Sequence, residues 1–197
     1  MNAGKFISET IQSSIGTKQS ILADRLFMAR VAKIADAAVK VCRSGRKILL
    51  AGNGGSAADA QHLAGEFVNR FRFDRPALPA VALSTDTSVM TAIANDSSFE
   101  RIFARQIEAL GAKGDMFIGF STSGSSPNIL KALKQCRKMK IVAVGFTGEK
   151  SAKMAGLCDY CLAVPSQDTP RIQEAHIMLG HILCEIIETR LFKPARS

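Results

Sequence analysis

Five short, unbroken apolar runs, separated by longer segments of helical periodicity, constrain the fold of this chain more than any other feature. The runs lie within residues 47–51, 80–83, 116–120, 141–144 and 160–164. A strand that is apolar at every position, and not only at alternate ones, is covered on both faces, as in a parallel sheet packed between helices. The sequence therefore predicts an α/β fold with a buried parallel sheet.

Amphipathic segments around these runs predict the helices. Residues 5–43 carry two apolar stripes, and Asp24 is expected to divide this segment into two helices. Further helices are predicted at residues 57–70, 87–94, 100–110, 127–138 and 170–191. No linker, repeat or low-complexity segment interrupts the pattern, so residues 1–197 are predicted to form a single domain.

Composition narrows the class of protein. The 197 residues are 47% hydrophobic and 22% charged, which is typical of a globular chain. No apolar run approaches the ~18 residues of a membrane-spanning helix, and the N-terminus does not resemble a secretory signal. The five cysteines are scattered and odd in number, which argues against a disulfide framework. We therefore expect a cytoplasmic protein that neither spans nor binds a membrane.

The net charge of +9 favours anionic partners of some kind. Nucleic acid is not expected, because aromatic residues are not interleaved with the basic ones. The nearest basic patch is formed by Arg70, Arg72 and Arg75. We interpret it as a solvated face or a subunit contact in preference to a polyanion site. Cys158 and Cys161 form a CxxC pattern. Because no second pair exists, we interpret them as buried thiols in preference to a metal or redox site.

Two predicted strands end in loops of small polar residues. These loops are Gly52-Asn53-Gly54-Gly55-Ser56 and Ser121-Thr122-Ser123-Gly124-Ser125-Ser126. Ligands of doubly wound sheets bind beyond the carboxyl ends of the strands, so both loops are expected at one crevice. The second loop offers five hydroxyls before Pro127, which begins a helix whose free amides attract anions. This pattern fits a phosphomonoester cradle and, equally, a simple capped turn.

Histidine spacing suggests a metal site. His62 and Glu66 stand four residues apart and share one helix face, where they can hold a metal or form a surface contact. On the last helix, Gln173 and His181 lie about 80° apart around the helix axis, whereas His176 lies about 140° from His181 and is expected to face elsewhere. His181 is therefore the histidine that can join the first pair, and His176 is expected to be a polar packing residue. A His, Glu, Gln and His set suits zinc or another borderline divalent ion.

Five segments in fixed order closely resemble the phosphoheptose isomerases, a family of sugar isomerase (SIS) domain proteins. They are AGNGGSAADAQHLAGEF, LPAVALSTDTS, AIAND, GFSTSGSSPNIL and RIQEAHIMLGHIL. The resemblance extends from about Ile11 to Phe192. It implies a three-layer α/β/α sandwich with a central parallel five-stranded sheet and extra N-terminal helices. It also implies a homotetramer with active sites at subunit interfaces, residues 1–43 packing in the oligomer, and one Zn²⁺ per subunit site.

The implied activity is that of an aldose–ketose isomerase. It converts sedoheptulose 7-phosphate to D-glycero-D-manno-heptose 7-phosphate through an enediol, for heptose precursor biosynthesis. The implied metal ligands are His62, Glu66, Gln173 and His181, with Glu66 and His181 as the catalytic acid–base pair. The implied substrate contacts are Asn53, Gly54, Gly55, Ser56, Glu66, Asn95, Asp96, Ser121, Thr122, Ser123, Ser126 and Gln173.

Two functions other than catalysis occur on similar chains. Some serve as adaptors that bind the bacterial replication initiator protein, and regulatory SIS domains sense a phosphosugar without converting it. The adaptors lack the counterparts of Glu66 and His181, whereas this sequence has both. The sequence therefore favours an enzyme over a non-catalytic adaptor or a sensor.

Overall fold

An all-parallel sheet of five strands forms the centre of the computed structural model, which describes residues 1–193. In these residues, eight α-helices and one short 3-10 turn at Phe99–Arg101 surround the sheet. The elements are α1 Ala3–Ala23, α2 Arg25–Arg43, β1 Ile48–Ala51, α3 Gly55–Val68, β2 Ala80–Ala82, α4 Thr87–Asp96, α5 Ile102–Leu110, β3 Met116–Ser121, α6 Pro127–Met139, β4 Val142–Thr147, α7 Ala152–Ala155, β5 Tyr160–Ala163 and α8 Thr169–Phe192.

The strand order, β2-β1-β3-β4-β5, is that of a doubly wound sheet, and all strand pairs are parallel as predicted. The chain moves outward from β1 to β2, then crosses back to β3 and continues in the other direction. The point of reversal therefore lies between β1 and β3, which pair with Leu50 opposite Ile118 and Ala51 opposite Gly119. A crevice opens at such a reversal beyond the carboxyl ends of the strands. The two polar loops predicted to bind ligand follow these two strands.

Helices cover both faces of the sheet, so the predicted three-layer architecture is confirmed. Alternate strand residues, such as Leu50 and Ile118, pack with helices α2, α3 and α8. Their neighbours Leu49 and Phe117 point to the opposite face and pack with α5 and α6. Every residue of β1 and β3 is buried, as the unbroken apolar runs predict.

The N-terminal segment divides at Asp24, as predicted. The Asp24 carboxylate accepts hydrogen bonds from the amides of Leu26 and Phe27 and so caps α2. Helix α2 packs one face into the core, but Ile21 is the only residue that α1 buries. The apolar stripe of α1 remains uncovered within the chain, with exposed fractions of 41–57% at Phe6, Ile7, Ile11 and Ile15.

Two details differ from the sequence-based expectation. The four-residue helix α7 was not predicted, because one turn is too short to show a helical period. Cys158 and Cys161 are free thiols and only partly buried. Among the described residues, no helix is long and apolar enough to cross a membrane. Residues 194–197, the end of the predicted single domain, lie outside the described part of the chain.

Candidate active site

Two helices bring His62, Glu66 and His181 together. The Nε2 atoms of His62 and His181 lie 2.8 Å apart, and the His62 Nε2 lies 3.2 Å from the Glu66 Oε1. One ligand atom from each of the three side chains falls within 4.8 Å of the others. We call these three residues the His/Glu cluster. The His62 side chain is 49% exposed and that of Glu66 is 22% exposed, so a small molecule can reach them.

A close helix–helix contact accounts for this convergence. Helix α3 carries His62 and α8 carries His181, and both helices start at the carboxyl edge of the sheet and run side by side. Next to the two histidines, Gly180 packs against Leu63, and a Cβ atom at position 180 would lie 2.5 Å from the Leu63 Cδ1. Glycine at this position therefore sets how near the two imidazoles can come.

The donor set of the His/Glu cluster fits a divalent metal ion. Two imidazole nitrogens and a carboxylate oxygen are the ligands that catalytic zinc sites use, and three protein ligands leave a fourth position for water or substrate. Phe71 packs against the His181 ring, with 5.4 Å between ring centroids, and restricts its orientation. The structure thus contains a three-residue cluster of metal-binding character.

Gln173, predicted as a fourth ligand, lies against the first turn of α3. A Cβ atom at Gly55 would lie 2.5 Å from the Gln173 Nε2, which places this amide beside the first polar loop. Along α8, its backbone precedes that of His181 by eight residues, or about 12 Å. Gln173 therefore faces the same groove between α3 and α8, and its ligation of a metal stays a prediction.

His176 has the packing role that was expected. It is fully buried, and its Nε2 lies 3.2 Å from the carbonyl oxygen of Thr147. Burial lowers the pKa of this imidazole from 6.5 to about 4, although the hydrogen bond to Thr147 acts in the opposite direction. His176 is therefore neutral at physiological pH and holds α8 against β4.

The loop after β3 is folded around its hydroxyls. Gly124 adopts a positive φ of 63°, and a Cβ atom there would lie 2.6 Å from the Lys150 carbonyl oxygen. The Ser121 and Ser126 hydroxyls hydrogen-bond to each other at 2.9 Å, and the Ser123 hydroxyl accepts a bond from that of Ser125. Because Ser126 uses its hydroxyl in this way, it does not cap the first turn of α6. The Ser126 amide also donates to the Ser121 hydroxyl at 3.4 Å, so hydroxyls and a helix-start amide lie together in this loop.

A reciprocal amide pair joins the two loops. Asn53 donates to the Asn128 Oδ1 at 3.0 Å, and Asn128 donates back to the Asn53 Oδ1 at 2.8 Å. Asn128 is buried and also accepts a hydrogen bond from the Ile129 amide in the first turn of α6. Asn128 was not predicted as a site residue, and its position directly after Pro127 at a helix start was the available signal.

A cleft of about 310 Å³ lies beside the loop of residues 121–126, which we call the serine loop. Thr122 and Ser123 line one side, and the segments after β4 and β5 line the other. The residues of these two segments are Glu149, Lys150, Ser166, Gln167, Thr169 and Ile172. Their contribution to the cleft was not predicted, because it depends on strand order and not on a local sequence pattern. Lys150 and Glu149 bring one basic and one acidic residue to this cleft.

The remaining predicted site residues lie in two places, the turn that starts α3 and the end of α4. Gly54, with a φ of 55°, and Ser56 belong to the turn that starts α3. Asn95 and Asp96 are exposed at the end of α4, where the Asn95 amide donates to the Asp96 carboxylate at 2.8 Å. Among the hydrogen bonds of the described residues, none connects this pair to either loop. Their contact with substrate stays a prediction.

Asp59 is a further acidic group close to the cluster, one turn before His62 on α3. Burial raises the pKa of its carboxyl to about 6, against the opposing effect of His62. Its Oδ2 is buried and lacks a hydrogen-bond partner in the described part of the chain. Asp59 was not predicted as a site residue, although it precedes His62 by three residues on one helix face.

The interpretation of the basic patch was wrong for Arg75. Its side chain is only 2% exposed and forms an ion pair with Glu188, with 3.1 Å between the Arg75 Nε and Glu188 Oε1. Arg72, in contrast, is exposed and pairs with Glu185. A buried partner more than one hundred residues away in sequence leaves no local signal, so the short-range charge pattern suggested a solvated face.

The fold and the His/Glu cluster define an SIS-domain protein. The family model described as "SIS domain" matches residues 20–148. Phosphoheptose isomerases from Aneurinibacillus thermoaerophilus and Burkholderia pseudomallei (strain 1710b) are 58% and 54% identical to the chain, each alignment covering 95% of this chain and 95% of the relative. The chain belongs to the phosphoheptose isomerase family.

Solved structures support the same assignment. A phosphoheptose isomerase from Francisella tularensis superimposes with a TM-score of 0.91 at 35% identity, covering 96% of this chain and all of that one. The enzyme from Neisseria gonorrhoeae gives a TM-score of 0.88 at 38% identity, covering 94% of this chain and 98% of its own. These alignments include the helices α3 and α8 that carry the His/Glu cluster.

Proposed function

We propose that this protein is a phosphosugar isomerase that converts sedoheptulose 7-phosphate to D-glycero-D-manno-heptose 7-phosphate, a precursor of heptose-containing glycans. The observation that carries this proposal is the convergence of His62, Glu66 and His181 in a chain of the phosphoheptose isomerase family. Aldose–ketose interconversion moves a proton between two neighbouring carbons through an enediol. It needs a base at carbon, a proton donor at oxygen and stabilisation of developing negative charge.

We assign the proton transfers to two residues of the cluster. Glu66 takes the proton from the substrate carbon, because a carboxylate that is 22% exposed can still reach a bound sugar. His181 gives a proton to the substrate oxygen, and Phe71 keeps its ring directed towards His62. The ligand atoms of the cluster lie within 4.8 Å of one another, so both groups can reach neighbouring carbon and oxygen atoms of one substrate.

The proposed cofactor is one Zn²⁺ per site, held by His62, Glu66 and His181, with Gln173 as the fourth residue of the set. A divalent ion there supplies Lewis-acid polarisation of the substrate oxygens and stabilises the charge that develops on them. The nitrogen and oxygen donors of the cluster support zinc over magnesium or calcium, which prefer oxygen ligands alone.

The serine loop is proposed to hold the substrate phosphate. Ser121, Thr122, Ser123 and Ser126 offer hydroxyls, and the first turn of α6 offers amides with a positive dipole end. Among the residues of the cleft, Lys150 is proposed to pair with the phosphate, while the carboxylate of its neighbour Glu149 accepts a hydrogen bond from Gln167. The amide pair between Asn53 and Asn128 holds this loop against the loop that starts α3, so phosphate binding and the cluster share one framework.

We propose that the working form is a homotetramer with active sites at subunit interfaces. The uncovered stripe of α1, which exposes Phe6, Ile7, Ile11 and Ile15, supports association through this N-terminal helix. Exposure of His62 at the cluster is compatible with a neighbouring subunit that completes the site. The five free thiols support a reducing compartment, and hence the cytoplasm, as the location.

The function is tested with purified protein and sedoheptulose 7-phosphate, by following aldose formation by NMR. Metal-loaded protein is expected to form the heptose 7-phosphate, and removal of the metal by a chelator is expected to abolish turnover until Zn²⁺ is restored. Absence of product from the zinc-loaded tetramer would refute the proposal. Capture of a replication initiator protein by the same inactive sample would favour the adaptor function instead.

A further inference from the structure

A buried ion pair lies directly behind the His/Glu cluster. The side chains of Arg75 and Glu188 are 2% and 1% exposed, and they contact each other at 3.1 Å. Burying two charges has a high desolvation cost, and such a pair often stabilises a fold no better than apolar residues of similar size. The role of this pair is therefore better judged from the backbone groups that Arg75 and Glu188 bind.

Arg75 binds the end of the helix that carries Glu66. Its Nη2 donates to the Glu66 carbonyl oxygen at 2.8 Å, and its Nη1 donates to the Phe67 carbonyl oxygen at 2.7 Å. These carbonyls belong to the last turn of α3, where no further amide of the helix is available as a partner. A planar guanidinium can bind two carbonyls and a carboxylate at once, whereas an ammonium cannot match that geometry.

Glu188 binds the loop that follows α3. Its two carboxylate oxygens accept hydrogen bonds from the amides of Phe71 and Arg72, at 2.9 and 2.8 Å. Burial raises the pKa of this carboxyl, but the two amides and Arg75 outweigh that effect and hold the pKa below its usual range. The bond to the Phe71 amide places the Phe71 ring against the His181 imidazole.

The two sets of bonds thus lead to the two residues that we assign to proton transfer. Arg75 fixes the backbone of Glu66, and Glu188 fixes Phe71, which packs on His181. Glu188 also lies on the same helix as His181, seven residues or about 10 Å further along. The ion pair therefore ties the end of α3 to α8 immediately beyond the cluster.

We propose that Arg75 and Glu188 are positioning residues of the isomerase, which hold the Glu66 carboxylate and the His181 imidazole at the mutual distance that proton transfer and metal binding require. This inference rests on the proposed function. It concerns the alignment of groups and not substrate affinity, because the serine loop lies at the other end of α8. It assigns a role to two residues whose side chains are almost completely buried.

The decisive variant is Arg75→Lys, which keeps the charge next to Glu188 but cannot bind both carbonyls of α3. Its kcat is expected to fall ~10–100-fold and its dissociation constant for Zn²⁺, measured by competition with a chromophoric chelator, to rise ~10–100-fold. The KM for sedoheptulose 7-phosphate should stay within about threefold of wild type, because phosphate binding is untouched. If the ion pair only stabilised the fold, folded Arg75→Lys protein would not show a lower kcat together with an unchanged KM.

The matched control is Glu185→Gln. It breaks the exposed pair between Arg72 and Glu185, which joins the same loop to the same helix at 3.1 Å. Exposed ion pairs contribute little, so kcat and zinc affinity should match wild type. Phe71→Leu is the second test variant, because it removes the ring from His181 while it leaves the buried charges paired, and it should lower kcat in the same way.

Wild-type kcat and zinc affinity in folded Arg75→Lys protein would overturn the inference, as would a loss seen only in KM. If Arg75→Lys does not fold, unchanged kcat and zinc affinity in Phe71→Leu overturn it. Failure of the proposed function is a separate result, since it shows as wild-type protein without isomerase activity. Zinc affinity can still be compared between wild type and the variants in that event.

Discussion

Replacement of Gly180 by alanine tests whether the contact between α3 and α8 sets the geometry of the His/Glu cluster. The added Cβ atom would lie 2.5 and 2.7 Å from the two methyl carbons of Leu63 and 3.1 Å from its Cγ. Ordinary van der Waals contact begins near 3.4 Å. The two helices must therefore separate by about 0.9 Å at this point, or Leu63 must leave its rotamer, at a cost of about 0.5–1.5 kcal/mol.

The effect on stability is expected to be small because two contributions oppose each other. Overpacking of a well-packed core costs about 1–3 kcal/mol, and alanine is about 1 kcal/mol more favourable than glycine inside a helix. The net loss in the free energy of unfolding should be about 0–2 kcal/mol. The site is far more sensitive, because a displacement of about 1 Å between reacting groups costs on the order of 100-fold in rate.

The experiment measures kcat, KM and zinc affinity of Gly180→Ala beside the free energy of unfolding in urea without metal. We expect kcat and zinc affinity to fall by about two orders of magnitude while the variant remains folded. Gly65→Ala is the control, because it places a methyl group on α3 where nothing lies within 4 Å. That variant should retain its activity and gain up to ~1 kcal/mol of stability. Gly180→Ala protein with a kcat close to wild type would refute the packing argument.

Three further predictions address the individual groups. Glu66→Gln should lower kcat by about 10²–10⁴ with an unchanged circular dichroism spectrum, and near-wild-type turnover would remove the assignment of Glu66 as the base. A double variant, Ser121→Ala with Ser126→Ala, should raise KM with little change in kcat if these hydroxyls hold ground and transition states equally. Unaltered kinetics would leave the loop with only its turn function. For His176, burial lowers the pKa from 6.5 to about 4, so between these values the unfolded chain binds more protons than the folded one. Stability should therefore fall as the pH is lowered, by about 2 kcal/mol between pH 7 and pH 5 from this group alone. His176→Gln can still donate to the Thr147 carbonyl but does not titrate, and urea unfolding at the two pH values should show a smaller pH effect than in wild type. Equal pH effects in the two proteins would contradict this cause.

The sheet and its helices could be predicted from sequence because their signals are local. Strands buried on both faces leave unbroken apolar runs, and helices packed on one side leave a 3.6-residue period. Asp24 similarly indicates a helix start, because the hydrogen bonds by which it caps α2 involve only residues two and three positions further along. Strand order had no comparable local signal, and neither did the four-residue helix α7, which contains a single turn.

The site was predictable in part for the same reason. The spacing of His62 and Glu66 is a local pattern on one helix, and a helical wheel is enough to place His176 and His181 on different faces of the last helix. Their meeting at 2.8 Å is a property of two helices that are over one hundred residues apart in sequence. The amide pair of Asn53 with Asn128, and the ion pair of Arg75 with Glu188, likewise depend on partners that no short window contains.

Three of the long-range contacts that could not be predicted from the sequence join α3 to α8. Leu63 against Gly180 sets the spacing of α3 and α8, Arg75 with Glu188 ties them together beyond the cluster, and Gln173 against Gly55 brings them together at the other end. The His/Glu cluster lies between these contacts, with its side chains partly open to solvent. A site that must admit a sugar cannot be held by contacts within itself, so its geometry has to come from the packing on either side. Variants at these contacts should therefore change catalysis more than stability, which is the opposite of what core positions usually show.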